Sequence, residues 1–196
     1  DVEFYGEDIL TSAMISVTEG SQRKLYILAG KGQLRQSPRG SAYNVLESFA
    51  RRQNATLEPL RLDDLDSFPD DADGVILLNA VYDLTDREIG LLEEYWQRRR
   101  GGVLVLLNPQ GKTPRLNGFL DKNGISPRGD RVLYAESTGA GPRTQFLVQS
   151  TFVPGSRITE AFWGLNTTFG GQTCSLRVKE GDEELQRKTI EVKPLL

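Results

Sequence analysis

The 196-residue sequence predicts an open α/β sheet, its parallel strands in the order 2-1-3-4 with helices on both faces, followed by an antiparallel β extension. Two observations carry this. Up to about residue 125, stripes of helical period alternate with short apolar runs, the pattern of βαβ units. All but the second of these runs read as strands buried on both faces, and right-handed crossovers then give a flavodoxin-like order. After residue 130 the segments alternate between apolar and polar and are separated by glycine-rich turns. We therefore read 1–130 as a flavodoxin-like core and 131–196 as a β-rich extension of the same domain.

The first element reads as a helix over 7–18, because Leu10, Ala13, Met14 and Val17 recur on one face and predict a buried stripe. Leu25 to Ala29 is a doubly buried strand. Ser41 can cap a second helix with Ala42, Val45, Leu46, Phe49 and Ala50 as its apolar stripe. Thr56 to Leu62 alternates as a strand, with Leu57 and either Leu60 or Leu62 turned inward. The acidic, proline-broken loop 63–73 leads to a third strand over 74–80. Thr85 and Glu88 form a capping box, behind which Ile89, Leu92 and Trp96 line a helix face. Arg98, Arg99 and Arg100 at the far end suit the helix dipole. Gly101-Gly102 ends that helix, and residues 103–108 form a fourth buried strand. A short helix around Leu116 to Asp121 stops at Asn123-Gly124. Strand candidates follow at 131–136, 144–153, 174–180 and 187–193.

Composition excludes several chemistries. The chain has no histidine and a single cysteine, Cys174, so neither Ser-His-Asp nor Cys-His catalysis can be built within it. Cys/His zinc sites and disulfides are excluded on the same count. A net charge of -3 gives no broad basic field for nucleic acid, and no apolar run approaches a membrane span. The chain starts at Asp1 rather than Met, which points to a fragment of a longer protein.

Two stretches invite a phosphate-loop reading. Gly111-Lys112-Thr113 resembles the end of a P-loop, but Leu106 stands where its first glycine belongs and Pro109 removes a backbone donor. Gly30-Lys31-Gly32 follows the first strand, yet Arg35 occupies the third glycine position of a dinucleotide fingerprint. In the 2-1-3-4 order, ligands are expected outside the carboxyl ends of the strands, where the order reverses. That places Gly30, Lys31, Gly32, Gln33, Arg35, Asn79 and Tyr82 at a candidate crevice for a small polar ligand or sugar, with Asn108 nearby. The alternative is that both glycines only permit positive φ in a turn. The acidic loop lacks EF-hand spacing, and Glu93-Glu94 diverge by about 100° on their helix, so neither a calcium site nor an acid–base dyad is implied. Phe162 and Trp163, in a glycine-flanked segment, are candidates for a partner contact. Cys174 reads as a small apolar strand residue.

Four pieces together resemble the auxiliary component of gliding-motility-type ABC transport systems: residues 4–20, 24–33, 84–109 and 116–127. That family has a Thr-Ser-Ala helix, a strand ending in Gly-His-Gly-Glu, an acidic entry to the third strand and a Leu-Ser/Thr-x-x-Glu helix ending in Gly-Gly. Residues 156–171 match more weakly a His-Pro-Ile-Thr segment. The resemblance implies a glutamine-amidotransferase-like fold without its catalytic residues. It also implies an extracytoplasmic, periplasmic domain anchored by membrane helices elsewhere in the parent protein. Its partners would be an ABC permease and ATPase, and it would use no cofactor. The family is distantly related to the N-terminal domain of an intraflagellar transport protein. Here Lys31 and Gln33 replace the family's His and Glu, and Ser156-Arg157 its His-Pro, so only the glycine turn transfers. The leading expectation is thus a non-enzymatic accessory domain acting through protein contacts. A ligand-binding module, or chemistry confined to carboxylates, lysine and tyrosine, stays open at this stage.

Overall fold

Strand β1, Arg23–Leu28, is the hinge of the architecture. In the computed structural model, which describes residues 6–19, 21–32, 41–63, 65–139 and 141–196, it pairs in parallel with β2 (Ala55–Leu60) and β3 (Gly74–Leu78). Strand β4 (Gly102–Leu106) pairs with β3, giving the all-parallel order β2-β1-β3-β4 that the alternation of helices and apolar runs predicts. The chain divides into two compact units. The first runs to Leu107 with Gly111–Thr113, and the second holds Asn108–Gln110 and Pro114–Leu196.

In the first unit, helix α1 spans Gly6–Glu19, α2 Ala42–Arg52 and α3 Asp86–Gln97. Successive strand side chains point to opposite faces. On one face Ile27, Leu57, Ile76 and Leu78 gather with Tyr43 and Ala50 of α2 into a buried cluster, against which Leu25 and Leu46 pack. Burying each such side chain is worth about 1.5–3 kcal/mol. Ser41 caps α2 by accepting from the Asn44 N–H. The helix presents Tyr43 rather than Val45 and Phe49 inward, and the Tyr43 hydroxyl donates to the Leu57 carbonyl at 3.3 Å.

Two expectations of burial fail. Leu10, Met14 and Val17 of α1 are 63, 61 and 82 % exposed, so the periodic stripe is there but faces solvent. On β4 burial alternates: Leu104 and Leu106, in register with Ile76 and Leu78 of the core face, are 46 and 40 % exposed. A strand at the sheet's edge has a neighbour on one side only, and here half its apolar face is open as well.

The second unit contains α4 (Pro114–Lys122), with Leu116, Phe119 and Leu120 buried, and three antiparallel pairs. These are β5 (Ile125–Pro127) with β10 (Leu176–Val178), β6 (Tyr134–Thr138) with β7 (Gly141–Gln145), and β8 (Leu147–Thr151) with β9 (Asn166–Gly170). A single 3-10 turn covers Glu160–Phe162. Lys179 ties the end of β10 to α4 through the Asp121 carboxylate at 2.8 Å. The strand expected over 187–193 is not formed. Helix α5 (Glu183–Arg187), capped by Asp182, precedes a stretch without regular structure, whose Ile190 and Val192 instead wall cavities.

Candidate functional site

The carboxyl ends of β1 and β3 are stitched to each other by backbone. The Lys31 carbonyl accepts from the Val81 N–H at 2.7 Å and the Tyr82 N–H at 3.0 Å, and Gly32 bridges Ala80. This gives both glycines a reason. Gly30 sits at φ 86°, where an L residue is strained, and a Cβ at Gly32 would run into the backbone carbonyl oxygens of Leu78 and Asn79.

With the backbone held this way, the Lys31 side chain turns inward. Its ammonium meets the Glu88 carboxylate at 2.8 Å, and their side chains are only 14 and 3 % exposed. It also reaches the Asp83 carbonyl at 3.4 Å. Glu88 is the last member of the capping box of α3: its Oε2 accepts from the Thr85 N–H at 2.6 Å and the Thr85 hydroxyl at 2.9 Å, while the Thr85 oxygen accepts from the Glu88 N–H. Three donors thus converge on Oε2, and the buried Oε1 has no hydrogen-bond partner. Burial pushes the Glu88 carboxyl up, but Lys31 and the two Thr85 donors outweigh it and hold the group below its usual value. An ionised carboxylate facing an ammonium makes a charge-neutral clamp between the first strand and the third helix. Such a pair supplies no free base.

The structure brings Gly30, Lys31, Gly32, Asn79 and Tyr82 together and gives them different tasks. Asn79 adopts φ 49° and donates its N–H to the Leu106 carbonyl at 2.8 Å. Tyr82 is 70 % exposed. Asn108 belongs to the second unit, where its side chain accepts from the Gln110 N–H at 2.9 Å and closes its own turn. Gln33 and Arg35, like Asp64 of the acidic loop, lie outside the described residues. Sequence reasoning recognised Glu88 as a helix cap but not as the partner of Lys31; the signal available was a lone lysine in an otherwise apolar strand end opposite a capping box.

Among the described residues of the acidic loop, Asp63, Asp66, Asp70 and Asp71 each meet a different basic side chain, while Asp73 accepts from the Lys24 backbone N–H at 2.8 Å. Asp71 takes Lys24 at 2.7 Å and the Tyr26 hydroxyl at 3.0 Å, which together lower its carboxyl. Asp66 meets Arg87 and Asp70 meets Arg99. In the second unit Phe162 and Trp163 are 49 and 66 % exposed, and the Phe162 ring tilts against Phe152 with centroids 5.4 Å apart. The Cys174 thiol is pushed up by burial and by the Asp130 charge, so it is a weak nucleophile.

No family model matches the chain, and no curated protein matches it in sequence. Among solved structures it is similar to the N-terminal domain of mmIFT52, an intraflagellar transport protein, with a TM-score of 0.55 and 18 % identity over 81 % of this chain and 69 % of that one. At that identity the likeness is one of fold. These findings overturn the expectation of a gliding-motility-type ABC transport component and, with it, of permease and ATPase partners. The physical reason is visible in the pieces that carried the resemblance. The glycine turn serves the Gly32–Ala80 bridge, Thr85 and Glu88 cap α3, and Asn123-Gly124 closes α4, where Gly124 has φ 92°. Each piece is what such a sheet needs locally, whatever system it works in. Among the described residues, no helix is long and apolar enough to cross a membrane.

Proposed function

We propose that the chain is a non-enzymatic interaction domain that occupies a fixed place in a multi-protein assembly. One observation carries this reading: the outward-facing apolar stripe of α1, with Leu10, Met14 and Val17 each more than half exposed. A solvated helix gains nothing from leucine, methionine and valine at i, i+4 and i+7, whereas a helix that meets another protein does. Val45 and Phe49 of α2 and Leu104 and Leu106 of β4 add further exposed apolar side chains in the same unit. The fold likeness to a domain of an intraflagellar transport protein supports the same class of role.

The test places a photo-crosslinking residue at Met14 in the cells that make the protein. A defined protein adduct is expected, absent when the crosslinker sits at Arg98, which lies on the polar end of α3, and lost on Leu10→Glu/Val17→Glu. Because those positions are exposed, the double variant should leave folding stability within about 0.5 kcal/mol. An adduct pattern no different from the Arg98 control would overturn the reading.

A further inference from the structure

Within the second unit lies a cavity of about 620 Å³, a volume typical of small-molecule sites. It is bounded by the β5/β10 and β8/β9 pairs and by the C-terminal residues 192–196. Its lining is mostly aliphatic, with Ile125, Val148, Leu176, Val178 and Leu195, and Phe169 supplies the one ring. Polar groups are few: hydroxyls of Ser150, Thr173 and Ser175, and the Cys174 thiol. Ser175 is already engaged with the Asp130 carboxylate at 2.6 Å, and the buried Thr173 hydroxyl oxygen has no partner. No carboxylate side chain lines the cavity, and Lys193 is the one charged side chain among its lining residues. The Lys193 ammonium meets the Glu191 carboxylate at 3.0 Å and the Gly155 carbonyl at 3.4 Å, and its side chain is 47 % exposed. These contacts account for two of its three N–H donors.

We propose that this cavity binds the chain of an unbranched aliphatic carboxylate, with the carboxylate end held at the rim by Lys193. The lining selects the class. A sugar or nucleotide would bury hydroxyls or phosphates against branched hydrocarbon, at a cost the few wall hydroxyls cannot offset. A hydrocarbon chain gains from every wall it touches, and a terminal anion meets a cation. A single side chain inserted by a protein partner would fill only part of the volume. The site belongs to the second unit and the α1 stripe to the first, and its test is independent of the assembly reading.

Cys174 provides the assay, since the chain's only thiol is in the cavity wall. Its alkylation is followed by intact mass with dodecanoate, butanoate or dodecyltrimethylammonium present below micellar concentrations. Dodecanoate should slow alkylation and raise the melting temperature, whereas butanoate and the cationic amphiphile should do neither. Lys193→Glu should weaken the dodecanoate effect about tenfold, the equivalent of one well-placed charge contact. Val148→Trp, its fold checked by circular dichroism, should abolish protection by filling the cavity; if it does not fold, the rim variant decides alone. Absence of protection by dodecanoate, equal protection by the cationic amphiphile, or undiminished protection in Lys193→Glu would each overturn the proposal.

Discussion

Replacing Lys31 by methionine tests the clamp between β1 and α3. The methylene stem keeps a similar course, but Glu88, 3 % exposed, loses its cation. Stranding one member of a buried pair costs about 3–5 kcal/mol. Because the Thr85 N–H and hydroxyl remain on Oε2, the lower end, about 3 kcal/mol, is expected at pH 7. Lys31→Met/Glu88→Gln should recover most of that loss, since the amide can keep the capping geometry without a buried charge. Urea unfolding of the first unit can be followed through Trp96 fluorescence in a Trp163→Phe background, which leaves one tryptophan of the two. The pH dependence gives a second reading. In the native protein the Glu88 carboxyl lies below its ordinary value of 4.5, so its contribution is complete above that pH and is lost as pH falls through the lowered value. Without Lys31, burial is opposed by the Thr85 donors alone, so the carboxyl takes up its proton at a higher pH than in the native protein and the variant then recovers part of the loss. The gap between the two proteins should therefore narrow as pH falls from 7 to below 4.5. A cost under about 1 kcal/mol, or one that does not change with pH, would refute the reasoning.

Three further outcomes are expected. Gly32→Ala should cost about 2–3 kcal/mol, because its Cβ meets rigid carbonyls, whereas Gly30→Ala has open space and should cost only about 1 kcal/mol for its φ of 86°. Both are read from urea midpoints. Thr85→Ala removes the N-cap acceptor and one donor to Glu88, and should cost about 1–2 kcal/mol with faster amide exchange in the first turn of α3. Tyr95→Phe strips the hydroxyl that donates to the Ala72 carbonyl at 3.0 Å and should cost about 1 kcal/mol by the same unfolding assay.

The first unit was legible because its signals are local. The apolar runs before Gly30, after Asp73 and after Gly101 became β1, β3 and β4, and the Ser41 and Thr85 caps start α2 and α3 as read. Periodicity shows that a helix has an apolar face, not what covers it, and so α1 misled. On α3 the buried set is Leu91, Leu92 and Tyr95 with Glu88, one position round from the stripe through Ile89 and Trp96, because Tyr95 packs on Phe68 and fills the space left by Gly101. In the second unit the strands are short and their partners distant in sequence: β5 pairs with β10 some fifty residues on. Alternation at Ile190 and Val192 reflected packing under a cavity rather than a ladder. Gly30–Gly32 and Asn79–Tyr82 do meet at neighbouring strand ends, but the pairing of Lys31 with Glu88 depends on a crossover that no local pattern encodes.

The exposed stripe of α1 also bears on the stability of that helix. Its 14 residues are about the length at which an isolated helix in water is only marginally populated, and propensity alone does not hold it. Leu10, Met14 and Val17, whose burial would ordinarily help to secure such a segment, are exposed. On the assembly reading proposed above, whatever covers Leu10, Met14 and Val17 would add burial to this helix, so that binding and the stability of α1 would rise together. The helix that would carry the contact is thus also the element that would gain most from it.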